Sequence, residues 1–475
     1  MESRQGEDLE GQINVKTYEN KIEPLLIKKS LGSQVFLAQL SYILTLFTLE
    51  LFIWTPLLLV EFHFARRTFD RVMVTTLVIL CIFFSYLIYS YFLKEPSISF
   101  TLRSLSLIIF GGCLIMILDQ SLISWYLLFP VLAILDGILY FVVRRHFEDY
   151  YYSNFLMETV TEAPLNSRDF FNAFQYIGSL FLLVPLRVAV PKFTLYGNWH
   201  WALLFLLIFT GILFILSFAI GDSPIDLMRN KQEERGLDDL EKLTKDKKEI
   251  ITDVNDPSKK IIRGGFTQEE RELILQDAAV ANEVARQDKE VFTKFKGIML
   301  MLVTFCSAFL LYAGIRSVIS LTYAHTKLDP VRSDASFYGK LVIFVVISGF
   351  LHLIYSLLKI NSFIKPRLFA TIWFAVCTAL YVVNWFLTGK NIFWSQTFIV
   401  FAALNANTLI YRISLIEFTQ SQRRHSNHSH RAFFWFSAAL TMLGVEILLG
   451  NNLYWIITIL GIVFSFFGVV IPFLI

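Results

Sequence analysis

The sequence predicts an all-α membrane fold of twelve transmembrane helices, arranged as two six-helix bundles. Apolar residues make up 55% of the 475-residue chain and charged residues only 17%, whereas an average soluble domain is about 25% charged. The apolar residues fall in blocks bounded by charge, each near the roughly 20 residues that a helix needs to cross a bilayer. Because lipid offers the backbone no hydrogen bonds, these blocks are expected to be helices.

Six predicted spans precede a long charged segment, and six follow it. A polar cytosolic tail (1–31) is followed by an N-terminal bundle (32–220), and a C-terminal bundle occupies residues 297–475. The spans are numbered one to twelve in chain order and are 33–60, 71–93, 100–118, 122–143, 169–190, 198–220, 297–323, 337–358, 367–388, 391–411, 432–450 and 452–475.

Residues 221–296, between the bundles, are predicted to form a cytosolic linker that contains helices. Asp222-Ser223-Pro224 has the pattern of a helix N-cap with proline in the first turn, and a charged helix is expected from there to the region of Lys245. Thr267-Gln268-Glu269-Glu270 resembles a capping box and precedes apolar residues at helical spacing. We interpret the linker as a helical lid beneath the membrane bundles.

Lysine and arginine in the short loops predict the orientation of the chain. With an even number of spans both termini lie on one side, together with the linker and most basic loop residues, so that side is expected to be the cytosol. One loop, with Arg66, Arg67 and Arg71, disagrees with this assignment. The basic residues predicted to face the cytosol are Lys94, Arg103, Arg144, Arg145, Lys359, Lys365, Arg367, Arg412, Arg423, Arg424 and Arg431.

No sequence pattern predicts an enzyme, a cofactor or a metal centre. The chain has no phosphate-binding glycine loop, no His-Glu-x-x-His spacing and no nucleophile elbow. Its four cysteines lie in apolar blocks and fit packing better than disulfides or metal ligation. His425, His428 and His430 follow two arginines, a pattern that favours a basic loop in contact with membrane lipid. No basic stripe indicates a nucleic-acid surface.

Two segments of the first half resemble signatures of the major facilitator superfamily. The first is Glu158-Thr159-Val160-Thr161-Glu162-Ala163-Pro164 followed by Arg168. It is similar to the Glu-x-x-Pro…Arg signature after helix four of sugar porters and organic-ion transporters. The second is Asn198-Trp199-His200-Trp201 with the later Gly221-Asp222-Ser223-Pro224, which resembles the family's pattern around helix six.

Two later segments continue the resemblance in the expected order. Residues 226–231 (Asp-Leu-Met-Arg-Asn-Lys) resemble the charged cytosolic helix of the family, and Glu417-Phe418-Thr419 with Arg423 resembles its pattern after helix ten. The resemblance implies the family's 6+6 fold. It also gives Glu162, Arg168, Glu417 and Arg423 the role of gating-motif residues.

Span seven narrows the resemblance to a branch of the superfamily. Residues 309–315 (Phe-Leu-Leu-Tyr-Ala-Gly-Ile) resemble a motif of organic-ion transporters and synaptic-vesicle-glycoprotein-like proteins. Sugar porters have a Gln-Gln pair near the positions of Leu310 and Leu311, so its absence counts against a sugar as cargo. The resemblance implies a divergent member closest to the organic-ion, synaptic-vesicle-glycoprotein and sugar-porter branch.

Two features depart from the family. The loop after span two reads Leu93-Lys94-Glu95-Pro96-Ser97-Ile98, where the family has Asp-Arg-x-Gly-Arg-Arg, the motif that holds the cytosolic gate. Glycine is also scarce, at 22 of 475 residues, although sliding helix contacts in membranes favour small residues. The chain is therefore either a divergent transporter or one that has stopped transporting.

Four ionisable residues fall inside predicted spans, where each costs at least about 2.5–3.5 kcal/mol near the membrane centre unless it faces a cavity or a partner. They are Glu50 in span one, Asp136 in span four, Arg316 in span seven and Glu446 in span eleven. The resemblance implies that helices one, four, seven and ten line a central cavity, and three of the four lie on these helices. Further polar candidates on other spans are Asn405, Asn407 and Gln175.

The functional interpretation places Glu50, Asp136 and Arg316 in a polar site near the middle of the membrane. Arg316 then binds an anionic group or pairs with Asp136 or Glu50, and a carboxylate in low dielectric takes up and releases a proton. Tyr312, one turn before Arg316, either stacks on a cationic ligand or only packs. The structural alternative is a static ion pair that holds the halves together, and for Glu446 it is contact with the outer interface.

Two functions fit these observations. The first is a secondary active or facilitative transporter that moves a small organic solute, charged or neutral, by alternating access, with protons as a plausible coupling ion. The alternative is a transport-inactive, transporter-like subunit of a larger membrane complex. It predicts other membrane chains as partners and a central cavity filled by phenylalanine or lipid.

Overall fold

The structure, a computed structural model, shows an integral multi-pass membrane protein whose membrane part is helical. Among the described residues it has helices at ten of the twelve predicted spans; spans five and eight lie outside them. The all-α membrane fold is confirmed. The described residues are 33–58, 68–91, 97–119, 124–151, 200–223, 227, 232–243, 249–252, 260–263, 271–272, 275, 295–326, 366–387, 390–417 and 420–475.

Most helices begin and end within a few residues of the predicted edges, but the span-four helix ends eight residues later, the span-ten helix ends six residues later, and the span-eleven helix begins twelve residues earlier. Span four opens with a π-helical turn, Ser124–Leu128, and continues as Phe129–Tyr151. The other helices are Ser33–Leu58 (span one), Thr68–Tyr91 (two), Ile98–Leu118 (three), His200–Leu216 (six), Phe295–Thr326 (seven), Pro366–Asn384 (nine), Lys390–Glu417 (ten), Gln420–Gly450 (eleven) and Tyr454–Leu474 (twelve).

Length and hydropathy make these helices suitable for a bilayer. Within the described residues, eight are long and apolar enough to cross a membrane, and Leu203–Leu216 is a shorter apolar helix. Large apolar side chains point away from the protein, as Phe100 and Phe386 show with 71% and 78% exposure. In water such surfaces would associate, whereas in lipid they are solvated.

The spans pack in the same pattern in both halves. Span one contacts spans four and six, and span seven contacts spans ten and twelve. Span three contacts spans four and six, and span nine contacts spans ten and twelve. These four contacts of the first half thus recur six spans later among the described residues. This is the packing of a parallel internal repeat, in which two like bundles lie side by side.

The two halves meet where span two packs on span eleven. The hydroxyl groups of Tyr86 and Ser429 lie 2.6 Å apart, and the rings of Phe83 and Phe436 are 5.2 Å apart between centroids. An aromatic contact and a hydroxyl pair therefore join the halves at the end of span two that leads into the loop lacking the family's gate motif.

Asp222 caps a helix other than the predicted one. Its carboxylate accepts hydrogen bonds from the backbone N–H of Ile98 at 3.0 Å and the hydroxyl of Ser97 at 2.9 Å, at the start of span three. The backbone N–H of Leu227 bonds to the carbonyl of Ser223, so the turn after span six begins one residue later than Asp222. A carboxylate at this position satisfies free N–H groups and the positive end of the helix dipole.

The described part of the linker contains a charged helix, which begins at Glu233 and not at the predicted N-cap Asp222, and also a hairpin that the sequence did not predict. The helix Glu233–Leu243 buries Leu237 among exposed charged residues. Strands β1 (Glu249–Thr252) and β2 (Lys260–Arg263) pair antiparallel, with Ile250 opposite Ile262. The predicted capping box at 267–270 lies outside the described residues.

Candidate functional site

Asp136 is the buried acid at the centre of the N-terminal half. It lies near the middle of span four, is fully buried, and its Oδ1 is 2.8 Å from the hydroxyl of Thr48 on span one. Its Oδ2 is buried and has no hydrogen-bond partner in the described part of the chain. A buried oxygen without a partner is unusual enough in native structures to call for an explanation.

The Thr48 hydroxyl allows the Asp136 carboxyl group to exist with or without a proton. The hydroxyl has a single hydrogen but lies within bonding distance of two acceptors, Asp136 Oδ1 and the carbonyl oxygen of Thr45 at 3.0 Å. When the carboxylate is ionised, Thr48 donates to Asp136. When Oδ1 carries a proton, Asp136 donates to Thr48, and Thr48 turns its own hydrogen to Thr45. Rotation of one hydroxyl thus accommodates both states.

Glu50 is buried on span one, two residues after Thr48, with 3% exposure. Because successive helix residues are rotated by about 100°, a two-residue separation turns its side chain to nearly the opposite face. Thr48, not Glu50, is therefore the span-one residue that contacts Asp136. Glu50 also takes part in an interaction of its own.

Arg316 pairs with Glu446, so the predicted pairing with Asp136 or Glu50 is wrong in this conformation. The guanidinium Nε and Nη2 donate to Glu446 Oε2 at 3.0 and 2.5 Å. The two side chains are only 4% and 9% exposed. The pair joins spans seven and eleven within the C-terminal half. A buried arginine needs an opposite charge, and Glu446 provides one inside the bundle instead of at the outer interface.

The polar residues of span ten point in different directions. Asn407 Oδ1 lies 3.3 Å from the hydroxyl of Ser307 on span seven, whereas Asn405 bonds to the carbonyl of Phe401 in its own helix. Arg316 lies nine residues beyond Ser307, a rise of about 13 Å along a helix. The Asn407 contact and the Arg316 pair are therefore at different depths in the membrane.

Tyr312 packs inside the C-terminal half. It is 2% exposed, and its ring lies 6.0 Å from that of Phe434 on span eleven. Of the motif residues, Glu417 is the last residue of the span-ten helix and Arg423 lies in the first turns of the span-eleven helix. Glu162, Arg168 and Gln175 lie outside the described residues.

A buried basic cluster at the ends of spans four and eleven was missed. Arg144 and Arg145 were expected in a loop but are 1% and 4% exposed within the span-four helix, and His430 and Arg431 are each 2% exposed in span eleven. The helices extend beyond the apolar blocks that define the spans, so hydropathy placed these residues outside. Tyr140, one turn before Arg144, is the sequence feature that could have indicated a buried arginine. Its hydroxyl accepts a 2.8 Å hydrogen bond from Arg144.

Comparison with known proteins identifies the fold. No protein-family model matches the chain, and no curated protein matches it. Solved structures do: the proton:xylose symporter XylE bound to 6-bromo-6-deoxy-D-glucose has a TM-score of 0.60 at 14% identity, over 93% of this chain and 95% of XylE. A partially occluded inward-open form of XylE from E. coli has a TM-score of 0.58 at 13% identity, over 92% and 97%.

The chain therefore has the fold of the major facilitator superfamily. The match extends over nearly the whole length of both chains, in agreement with the 6+6 plan and the repeated packing of spans. A double-tryptophan variant of XylE gives the same result, with a TM-score of 0.58 at 14% identity. A likeness at such low identity concerns the arrangement of helices, and the chemistry of the site must be argued from this chain's own residues.

Proposed function

We propose that the chain is a secondary carrier that moves a small organic solute by alternating access, with Asp136 as the group that takes up and releases the coupling proton. The observation that carries this proposal is the fully buried carboxyl group, bonded through one oxygen to Thr48 and without a partner for the other. A proton can bind or leave there by rotation of one hydroxyl, without breaking an ion pair. An intramembrane acid of this kind is typical of ion and proton pathways.

The solute in this proposal is neutral or cationic. Arg316 is the buried cation inside a predicted span, whereas Arg144, Arg145 and Arg431 are buried at the ends of spans four and eleven. Arg316 donates two hydrogen bonds to Glu446. An anion would have to displace that carboxylate and leave it unpaired in a low dielectric. Asp136, in contrast, offers an oxygen that forms no competing bond among the described residues.

The contact between spans two and eleven closes the cytosolic side in this proposal. In this proposal both termini and the linker face the cytosol, as the basic loops predict. The Tyr86–Ser429 hydroxyl pair, near the end of span two and the start of span eleven, would then lie on the cytosolic side. Hydroxyl and aromatic contacts are weaker than buried ion pairs and can separate when the halves rock. They would replace the missing gate motif of the loop after span two.

Transport by proteoliposomes tests the proposal. Purified protein is reconstituted, and uptake of D-xylose, tetraethylammonium and lactate is measured with an inward proton gradient. We expect gradient-driven accumulation of xylose or tetraethylammonium by the wild type, lost in Asp136→Asn. The control is Asp119→Asn, the same change at an exposed acid at the end of span three, which should retain accumulation. Unimpaired accumulation by Asp136→Asn would remove this residue from coupling, and loss with Glu50→Gln instead would assign the role to Glu50.

A transport-inactive subunit of a membrane complex is the second candidate. Its support is the tight packing of the C-terminal half. There Arg316 is bonded to Glu446, and added side-chain atoms at Gly461 and Gly468 would overlap the rings of Tyr381 and Phe374. This candidate predicts stoichiometric co-purification with other membrane chains from native membranes and no solute flux in liposomes. Purification as a lone chain with solute flux would exclude it.

A further inference from the structure

Spans nine, ten and twelve enclose a group of buried, uncharged polar side chains that the proposed function does not use. Tyr381 and Asn384 lie one turn apart near the end of span nine, with 0% and 6% exposure. Gln396 lies in the first turns of span ten with 1% exposure, and Tyr454 is the first residue of the span-twelve helix. We call these four residues the amide–tyrosine cluster.

Contacts between the helices show that the cluster is one site. The amide nitrogen of Gln396 donates to the hydroxyl of Tyr454 at 3.0 Å, which joins spans ten and twelve. The hydroxyl of Ser395, next to Gln396, donates to the carbonyl oxygen of Leu380, next to Tyr381, at 3.4 Å, and the Tyr381 ring packs on Gly461 of span twelve. Asn384 follows Tyr381 on the same buried face of span nine, which continues Phe374 and Cys377.

Most polar atoms of the cluster have no partner. Within the part of the chain that the structure describes, the hydroxyl of Tyr381, both polar side-chain atoms of Asn384 and the carbonyl oxygen of Gln396 are buried without hydrogen bonds. A buried amide with neither its donor nor its acceptor satisfied is costly, and more so among membrane helices, where the backbone offers no spare groups. Four such atoms on neighbouring turns of packed helices call for a group that supplies both donors and acceptors.

We propose that the amide–tyrosine cluster binds a small neutral polyol, either free or as the headgroup of a lipid. The carbonyl oxygens of Gln396 and Asn384 need donors, while the amide nitrogen of Asn384 needs an acceptor. A hydroxyl group is both donor and acceptor, so adjacent hydroxyls match this set with few atoms. The cluster contains no charged side chain, which fits a neutral ligand better than an ion. Trp385 and Phe386 follow Asn384 and are more than half exposed. Exposed aromatic residues at the end of a span are typical of the membrane–water interface, so the cluster lies close to that interface.

The proposal is tested by thermal unfolding of the full-length protein after its native lipid has been exchanged for detergent. The probes are glycerol and myo-inositol over a millimolar range. A bound polyol raises the unfolding midpoint saturably, whereas solvent exclusion raises it gradually and equally in all variants. We expect saturable stabilisation of the wild type by at least one probe. In Asn384→Leu, the loss of hydrogen bonds to the ligand should weaken binding by about tenfold or more. Thr76→Val is the matched control, because its hydroxyl is another buried, unpartnered group, on span two.

Native mass spectrometry of gently extracted protein distinguishes the two sources of the polyol. A lipid headgroup predicts a phosphatidylinositol or phosphatidylglycerol adduct on the wild type and on Thr76→Val that is absent from Asn384→Leu. A free polyol predicts the saturable midpoint shift without such an adduct. The proposal is overturned if the wild type shows neither a saturable shift nor a lipid adduct, or if Asn384→Leu shows the same shift and adduct as the wild type. The first outcome is read from the wild type alone, so poor folding of a variant does not obscure it.

Discussion

Breaking the buried ion pair between spans seven and eleven should strongly destabilise the protein. In Glu446→Gln, Arg316 keeps its charge but loses the carboxylate that accepts two hydrogen bonds from its guanidinium group. Two unit charges about 4 Å apart attract by about 4 kcal/mol at an effective dielectric constant of 20. Measured losses of one partner from buried pairs, about 3–5 kcal/mol, agree with this figure. We therefore expect Glu446→Gln to lower the free energy of unfolding by that amount.

The assay is reversible unfolding in detergent micelles, with the double variant Arg316→Met, Glu446→Leu for comparison. Replacing both members with apolar residues of similar size leaves no buried charge, so the double variant should recover most of the lost stability. Glu233→Gln, at an exposed position in the linker helix, should change stability by less than about 0.5 kcal/mol. If Glu446→Gln costs less than about 1 kcal/mol, or if the double variant is no better than the single one, the pair does not have the structural role assigned to it.

Three further predictions concern packing, capping and the contact between the halves. Gly468→Leu should lower the unfolding midpoint, since the new side chain would overlap the ring of Phe374. Adding Phe374→Ala to this variant should restore part of the lost stability. An unchanged midpoint in Gly468→Leu would refute the close contact. Asp222→Ala should lower the free energy of unfolding by about 1 kcal/mol, because it removes the cap of the span-three helix. Asp222→Asn should be closer to the wild type, and equal stability of all three proteins would contradict the cap. Tyr86→Phe should increase thiol labelling of an introduced Ala432→Cys, which lies buried one turn beyond Ser429 on span eleven. Unchanged labelling would show that the hydroxyl pair does not hold the halves together.

Hydropathy predicts the helices of this fold well because the bilayer imposes one length and one backbone structure on every span. It predicts their ends less well. The span-four and span-eleven helices run past their apolar blocks, so Arg144 and Arg431 are buried where loops were expected. Burial there depends on tertiary packing of the two halves, which a window of local sequence does not contain.

The sequence also identified the buried charges without identifying their partners. The free-energy cost of a charged side chain inside the membrane marks Asp136, Arg316 and Glu446 as residues that need a partner or a cavity. That cost does not show which spans are neighbours. Arg316 lies on span seven and meets Glu446 because spans seven and eleven pack together. Asp222 likewise has a strong local capping pattern, yet its carboxylate bonds more than a hundred residues away at Ile98. Such contacts between distant residues depend on the fold, and the spacing of residues along the sequence does not predict them.

The measurement that tests the central claim most directly is solute-dependent proton entry into pyranine-loaded proteoliposomes. D-xylose and tetraethylammonium are added to the wild type and to Asp136→Asn, and solute exchange at equal concentrations is followed in parallel. We predict that one of these solutes acidifies the lumen with the wild type. Asp136→Asn should still exchange that solute but should carry no protons with it. If wild-type liposomes neither exchange solute nor acidify beyond protein-free liposomes, the chain is not the proton-coupled carrier proposed here.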